Sequence, residues 1–596
     1  MNAAIPGGSF APAHLDQFSQ KRYDTHRHSN PTEGTVGMTE PLATHHAPRT
    51  THKTDWLLIG VLVALVLPLR LWLICNTEVT ARDSIGYIRY ALQFEQKPWA
   101  KVLQQNHQHP GYPVLVWLTS LPIRAMEDAT TAANMTLSAQ LVSLVASLVL
   151  LVPMYWLGRQ FFDRPVSFFA TLLYQYLPIS AQHLSDGISE PLYLVFLVMG
   201  LLQMVHGIRN RSVWRCALGG VFAGLAYLTR PEGALILPAL GLMLIVMQIR
   251  PTWRCSWWRC GGCGSAAVFS AIAVGCTYAI VIGGLTNKPA PLVAMGFAER
   301  AEMKRPVDIA GPLSLFAATI PPTDNKLLSL GRSVWALGEE INQGFHYLAG
   351  VPALLGFVWS FAGLRRQPAF WALMAYIAIH GLILISLAMR VYYISDRHVM
   401  ILVIGGCFFA VVALSELPRR ILAWRKPVSQ APTETTGWLR SAPLWSAVLF
   451  VALLGACLPK ATQRLHGNRA GNHAAGIWLA EHLHEGDVVM DDHAWSMFHA
   501  GLVFEEGREP KLPRDLEATC YIVITRSRDP RAQPQSQVIG VEFNPDGTAK
   551  SLRTVPIAKD AKTVYTWPPK AEADKVRVLI YAQRRDNDIH PWKKNP

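Results

Sequence analysis

The sequence predicts an all-α polytopic membrane domain of about eleven transmembrane helices, followed by a small C-terminal α/β soluble domain. Three observations predict it. Of the 596 residues, 51% are hydrophobic and only 16% are charged, well below the roughly 25% charge of soluble domains. The apolar residues gather in runs of roughly 17 to 25, the length that crosses a bilayer. Beyond residue 460 the runs stop and short strand-like segments take over.

Residues 1–54 are polar, rich in His, Thr and Pro and poor in large aliphatics. They cannot bury enough apolar surface to fold and read as a disordered tail. The first apolar run starts too late, and is too long, for a cleavable signal peptide. The transmembrane domain is expected over 55–460, with spans near 56–75, 135–158, 165–181, 190–207, 213–229, 233–249, 265–285, 346–363, 369–388, 398–415 and 443–459. One set of loops is basic: Arg159 and Arg164; Arg209, Arg211 and Arg215; Arg250, Arg254 and Arg259; Arg365 and Arg366; Arg419, Arg420, Arg425, Lys426 and Arg440. The other set, 181–189, 230–232 and 389–397, holds only Arg230, Arg390 and Arg397. The positive-inside rule puts the first set, and the N-terminal tail, in the cytoplasm. The second set then faces out, together with residues 76–134, 286–345 and the C-terminal domain.

The 76–134 loop depends on one segment. Tyr112 to Met126 is apolar but short for a span, and is read as interfacial or re-entrant. Were it a span, every later loop would flip. Earlier in the loop, Ile85, Ile88 and Leu92 recur at helical spacing among polar positions, which predicts a helix along the membrane surface. In residues 461–596, a helical pattern around Ala474 to His484, then E-G-D-V-V-M-D, Tyr521 to Thr525 and Val576 to Tyr581, predict an extracytoplasmic α/β domain.

The formal charge of +14 does not indicate nucleic-acid binding, because Lys and Arg lie mostly in short loops between spans. The nine cysteines are scattered. Cys255, Cys260 and Cys263 cluster, but no fourth nearby ligand completes a zinc set, and a basic aromatic interfacial loop is the better reading.

The outer loops carry the chemistry. Asp83 follows the first span in T-A-R-D-S-I-G-Y. Asp186 and Glu190, in H-L-S-D-G-I-S-E-P, sit four apart at the mouth of a span and share a face if the helix has already begun. Helix capping and a favourable helix dipole are the structural alternatives for these two. Arg230 and Glu232 lie in L-T-R-P-E-G; Arg390 and Arg397 bracket V-Y-Y-I-S-D. Guanidinium forks suit phosphate oxygens; pairing with Glu232, Asp396 or lipid head groups is the alternative. Arg70, inside the first span, snorkels or braces the site. His109, in H-P-G-Y-P, shapes the turn or reaches an acceptor; His107 and His109 as a metal pair lack partners.

The order of these features resembles the GT-C glycosyltransferases, in particular the protein O-mannosyltransferases and lipid A aminoarabinose transferases. The features are an early Asp and Tyr in the first loop (Asp83, Tyr87), H-P-G-Y-P at His109 to Pro113, L-G-R-Q-F-F, an external Asp opening the fourth span, and L-T-R-P-E-G. The likeness extends over about residues 56 to 420. It implies transfer of a sugar from a polyprenyl-phosphate carrier to a lipid, glycan or protein acceptor on the non-cytoplasmic face. Asp83, as general base of an inverting transfer, and Asp186 would be the catalytic carboxylates; Arg230, Arg390, Arg397, Glu190, Tyr87 and His109 would bind substrate. Asp83 is followed by Ser84 rather than the usual Glu, and it is not part of an Asp-x-Asp. A metal-free reaction is therefore implied, with a divalent cation as the alternative. The expected location is the inner (plasma) membrane, multi-pass. A lipid or solute transporter, or flippase, is the rival class; it predicts internal repeats and ionisable groups at mid-membrane depth, whereas here these groups lie mainly at span mouths.

Overall fold

The computed structural model describes residues 52–127, 129–288, 325–391, 394–424, 442–484, 487–491, 494–504, 519–525, 537–543, 549–555, 561–569 and 578–584. The predicted tail, apart from residues 52–54, lies outside them, as does most of the 286–345 loop. Helix α1 (His52–Cys75) starts within the segment read as tail. Four helices follow: α2 (Arg82–Gln96), α3 (Trp99–Gln105), α4 (Gly111–Glu127) and α5 (Ala132–Gly158). The bundle continues with α6 (Arg164–Tyr176), α7 (Pro178–His183), α8 (Glu190–Asn210), α9 (Val213–Thr229), α10 (Ile236–Ile249) and α11 (Trp257–Ile282). Then come α12 (Lys326–Gly344), α13 (Gly350–Leu364), α14 (Pro368–Val391), α15 (Met400–Trp424) and α16 (Ala442–Ala461).

Helices stand at all the predicted spans. Eight segments among the described residues are long and apolar enough to cross a membrane; α9 and α13 are shorter apolar helices. The chain is a multi-pass membrane protein. The predicted span 165–181 is a correction: it breaks at Leu177, which is extended, and Pro178 restarts the chain as α7. Proline lacks the N–H that would continue α6 and disfavours helix at the preceding residue. Arg70 braces the break. Its guanidinium is fully buried and donates to Ala181 O (2.7 Å), Ser185 Oγ (3.3 Å), Gln175 O (3.3 Å) and Gln175 Oε1.

Two ends of the bundle can be told apart. At one, Asp55 accepts from Tyr155 Oη (2.6 Å) and Arg164 Nε (3.0 Å) and lies 3.6 Å from Arg159. Arg209 joins this end by donating to Gln160 Oε1 (3.1 Å) and to Gln367. The other end gathers Cys75, Glu190, Thr229 and two tight 3-10 turns, Pro231–Leu235 and Asp396–Val399. Helix α4 begins and finishes at this second end. Gly111 sits so close to the end of α9 that a Cβ there would lie 2.8 Å from Leu228 O, and Arg124 in the last turn of α4 pairs with Glu95 of α2.

The C-terminal segment follows α16 directly. Helix α17 (Ala470–His482) packs on a four-stranded sheet of β1 (Val488–Asp491), β2 (Thr519–Thr525), β6 (Val578–Arg584) and β5 (Lys562–Trp567), in that spatial order. β1 and β2 are parallel, with Val488 opposite Cys520; β2–β6 and β6–β5 are antiparallel. Helix α18 (Trp495–His499) lies between β1 and β2 in sequence; β3 (Gln537–Phe543) and β4 (Ala549–Val555) form a separate antiparallel pair. Ala475, Leu479, Val489, Tyr521, Val523, Val578 and Ile580 fill the core between helix and sheet. The α/β architecture expected for this segment is present.

Candidate active site

Four chain segments meet at the second end: the start of α2, the start of α8, the 230–235 turn and the 395–399 turn. Asp83, in the first turn of α2, accepts a hydrogen bond from Arg397 Nη1. The same Nη1 lies 3.9 Å from Glu190 Oε1. Glu190, the first residue of α8, accepts from Arg230 Nη1, and Arg230 Nε reaches Glu232 at 3.5 Å. Asp83, Arg397, Glu190, Arg230 and Glu232 thus form one continuous ion network. Tyr87, one turn after Asp83, shares a 2.8 Å hydrogen bond with Ser189, the residue before Glu190. A cleft of about 350 Å³ opens on the network and is lined by Glu190, Tyr193, Arg230, Glu232, His380, Arg397 and His398. A larger, wholly apolar cleft of about 610 Å³ runs between Leu157, Phe162, Leu201, Tyr376 and Phe408, and shares Ile401 with the polar one.

The Asp83 side chain remains 40% exposed and bonds to Arg397, which lines the polar cleft. Burial would raise its carboxyl, but Arg397, with Lys288 and Arg230 beyond it, holds it below the usual carboxylate range. Lys288 is a cation that the sequence reading passed over. Burial and Arg230 lower its ammonium, and it feels Glu232, Arg397 and Glu190 as well. Among the described residues it has no carboxylate within ion-pair distance. The available signal was its place, three residues beyond Leu285 in the external loop after a span.

His109 stands behind Lys288. Its Nδ1–H donates to Tyr227 O (2.6 Å), so its Nε2 accepts from Thr286 Oγ1 (2.9 Å), and Thr286 Oγ1 accepts from Lys288 N (3.0 Å). Burial and the nearby Lys288 charge pull the imidazole down to about 4, which keeps it neutral as this chain of bonds requires. His107 Nδ1 meets Asn287 O at 3.1 Å, and Asn287 Nδ2 donates to Leu103 O and Asn106 O. The H-P-G-Y-P turn is therefore the backing of the 286–288 segment.

Asp186 and Glu190 do not share a helix face, because α8 begins only at Glu190. Asp186 turns the other way. Its Oδ1 accepts from Gly187 N (2.8 Å) and Ala81 N (3.3 Å), and its Oδ2 accepts from His466 Nε2 (2.7 Å). Burial opposes its ionisation, but His466 and the Gly187 N–H hold the carboxyl below the usual range. Gly187 is required at this bend: a Cβ would lie 2.9 Å from Ala139 Cβ and 3.0 Å from Ser84 Oγ. His183 lies 3.3 Å from Asp396, whose Oδ1 accepts from Arg397 N (2.8 Å). Burial works against the charged His183 ring, but Asp396 raises it above the usual imidazole range. Arg390 is exposed on the last turn of α14 and, among the described residues, makes no bond to the network. His183, Lys288 and His466 were all missed.

No group of three His, Cys, Asp or Glu among the described residues is arranged to hold a metal ion. Cys255, Cys260 and Cys263 are buried free thiols, as is Cys216.

Residues 108–275 match the family model described as dolichyl-phosphate-mannose-protein mannosyltransferase. The matched stretch contains Asp186, Glu190 and Arg230, and stops short of Lys288 and Arg397. Solved structures similar to this chain include three of the Archaeoglobus fulgidus oligosaccharyltransferase. The apo form is 13% identical, with 79% of this chain and 70% of that chain covered and a TM-score of 0.47. The complex with zinc and sulfate is 13% identical, with 77% and 58% covered and a TM-score of 0.45. The form tethered by a disulfide to an acceptor peptide containing the NVT sequon is 12% identical, with 79% and 69% covered and a TM-score of 0.48. No curated protein matches. The family match supports glycosyl transfer as the reaction class.

Proposed function

We propose that this chain, a membrane glycosyltransferase of the GT-C superfamily, moves a sugar from a polyprenyl-phosphate donor to an acceptor hydroxyl with inversion. The observation that carries the reading is the ion network, in which a partly exposed carboxylate is bonded to an arginine that lines the polar cleft beside further cations. The acceptor oxygen attacks the anomeric carbon while its proton passes to Asp83 as general base. The bond from that carbon to the phosphate oxygen breaks, and the electron pair leaves on polyprenyl phosphate, already an anion. Arg397, Arg230 and Lys288 offset its developing charge.

The Arg397–Asp83 bond gives the sequence of events a physical order. A carboxylate held by a guanidinium is a weak base. Donor phosphate competes for Arg397 bidentately, and as Arg397 turns to it, Asp83 regains proton affinity at the moment a sugar is present. The apolar cleft that meets the polar one at Ile401 suits the prenyl tail. No step needs a metal. The basic loops at the far end make that end cytoplasmic by the positive-inside rule. The site and the C-terminal domain are then extracytoplasmic, in the inner (plasma) membrane. The acceptor is a lipid, glycan or protein hydroxyl.

The test is turnover of radiolabelled polyprenyl-phosphate mannose by the purified chain, with solubilised cell-envelope extract as acceptor source, read as release of polyprenyl phosphate. Asp83→Asn should lower the rate by about 10²- to 10⁴-fold, the usual worth of a general base, at unchanged expression. Full activity in that variant removes Asp83 from the reaction.

A further inference from the structure

The start of α2, which carries Asp83, does not cap itself. Its N-cap residue is Ala81, whose side chain makes no capping bond. Yet an exposed helix start with a functional carboxylate in its first turn needs a fixed direction, because misplacing a reacting group by about 1 Å can lower a rate 10²-fold. The direction comes from the other end of the chain. Trp495 Nε1 donates to Thr80 O at 2.9 Å, and Ala81 N donates to Asp186 Oδ1 at 3.3 Å. Thr80 C=O and Ala81 N–H belong to the same peptide group. That one plane, two residues before Asp83, is gripped on both edges.

Both grips lead into the C-terminal segment. Asp186 is itself held by His466 Nε2–H at 2.7 Å. His466 sits in the left-handed region (φ 52°) just after Leu465, whose carbonyl accepts from Glu78 N at 3.1 Å. His473 of α17 adds a 3.3 Å contact to Glu78. Trp495 opens α18, and Asp491 at the end of β1 caps that helix by accepting from Ser496 N at 2.6 Å. The Arg469 guanidinium lies over the indole at 4.6 Å and holds it flat. Sheet, capped helix, indole and peptide plane form one mechanical line to Asp83.

We infer that His466 and Trp495 are positioning residues for Asp83, so that the C-terminal unit completes the active site and sets turnover rather than acceptor affinity. This rests on Asp83 acting in the reaction, as proposed above. Trp495→Phe keeps an aromatic ring, smaller than indole, and removes the N–H; His466→Ala removes the donor to Asp186, and His466→Gln restores an N–H at the reach of Nε2.

The experiment measures the full chain in detergent with radiolabelled polyprenyl-phosphate mannose and envelope extract, with Asp83→Asn in parallel. W495F and H466A should lower kcat by roughly ten- to a hundredfold with both KM values within about twofold, and H466Q should recover most of the loss. Amide hydrogen exchange over residues 81–84 should quicken in W495F and H466A, a readout that does not depend on turnover. Unchanged kcat and unchanged exchange in W495F overturn the inference, as does a raised acceptor KM at wild-type kcat. If D83N stays active while exchange quickens, the general-base reading fails and the positioning by the C-terminal unit stands. W495F keeps the test open should H466A fail to fold.

Discussion

Acidification should loosen the His109 turn before it touches the ion network. His109 is buried, donates from Nδ1 to Tyr227 O and accepts at Nε2 from Thr286. Its folded-state proton affinity corresponds to about 4, against 6.5 for a free imidazole. The folded state thus binds fewer protons than the unfolded state between these values, and stability rises with pH across the window. The contribution is complete above about pH 6.5 and is lost as pH falls towards 4. A gap of about 2.5 pH units at about 1.36 kcal/mol each is worth roughly 3 kcal/mol, and about 2 kcal/mol of it is gone at pH 5. Asn at this position keeps a donor for Tyr227 O and cannot titrate. Unfolding midpoints of the purified chain and of His109→Asn, compared between pH 7.5 and pH 5, should therefore converge: the variant is less stable at neutral pH but loses about 2 kcal/mol less on acidification. Two curves that fall in parallel refute the reasoning, because the acid loss would then belong to other groups.

Other outcomes follow from the same structure. Removing Arg397 as R397A should raise the donor KM and move the acid limb of kcat/KM to higher pH, since the charge that depresses Asp83 is gone; a pH–rate profile reads it. Gly111→Ala puts a Cβ 2.8 Å from Leu228 O and should destabilise by about 1–3 kcal/mol, measured as a lower unfolding midpoint. Asp55→Asn at the far end removes the carboxylate charge that faces Arg164 and Arg159 and should lower stability by about 1–3 kcal/mol, while activity per folded molecule stays at wild type.

Much of the helical frame was legible because hydropathy alone specifies it: long runs without charge have nowhere to go but a bilayer. The predicted span at 165–181 failed because hydropathy averages over Leu177 and Pro178, where the backbone changes course. Spacing puts Asp186 and Glu190 on one face only if the helix has already begun, and α8 begins at Glu190. Arg230 and Glu232, two positions apart, could be paired from the sequence, but the distant partners in the site could not. Asp83 meets Arg397 and Asp186 meets His466 across 314 and 280 positions, and no local period reports such a pairing. His109 was read as shaping the turn or reaching an acceptor, but its neutral tautomer is set by Tyr227 and Thr286, which reach it only through the fold.

Arg70 carries a lesson about what a membrane interior selects. On insertion energetics an arginine at helix centre counts as a penalty of roughly 2.5–3.5 kcal/mol, so Arg70→Leu looks like an improvement to the first span. Gln175, where α6 gives way to α7, would then lose the donor to its carbonyl and to its Oε1, and Ala181 O would keep only Ser185 Oγ; each buried group left unmatched weighs several kcal/mol. The more lipophilic sequence makes the poorer membrane protein. Hydrophobicity decides that α1 crosses; a single cation inside it decides that its neighbour is permitted to stop halfway and turn.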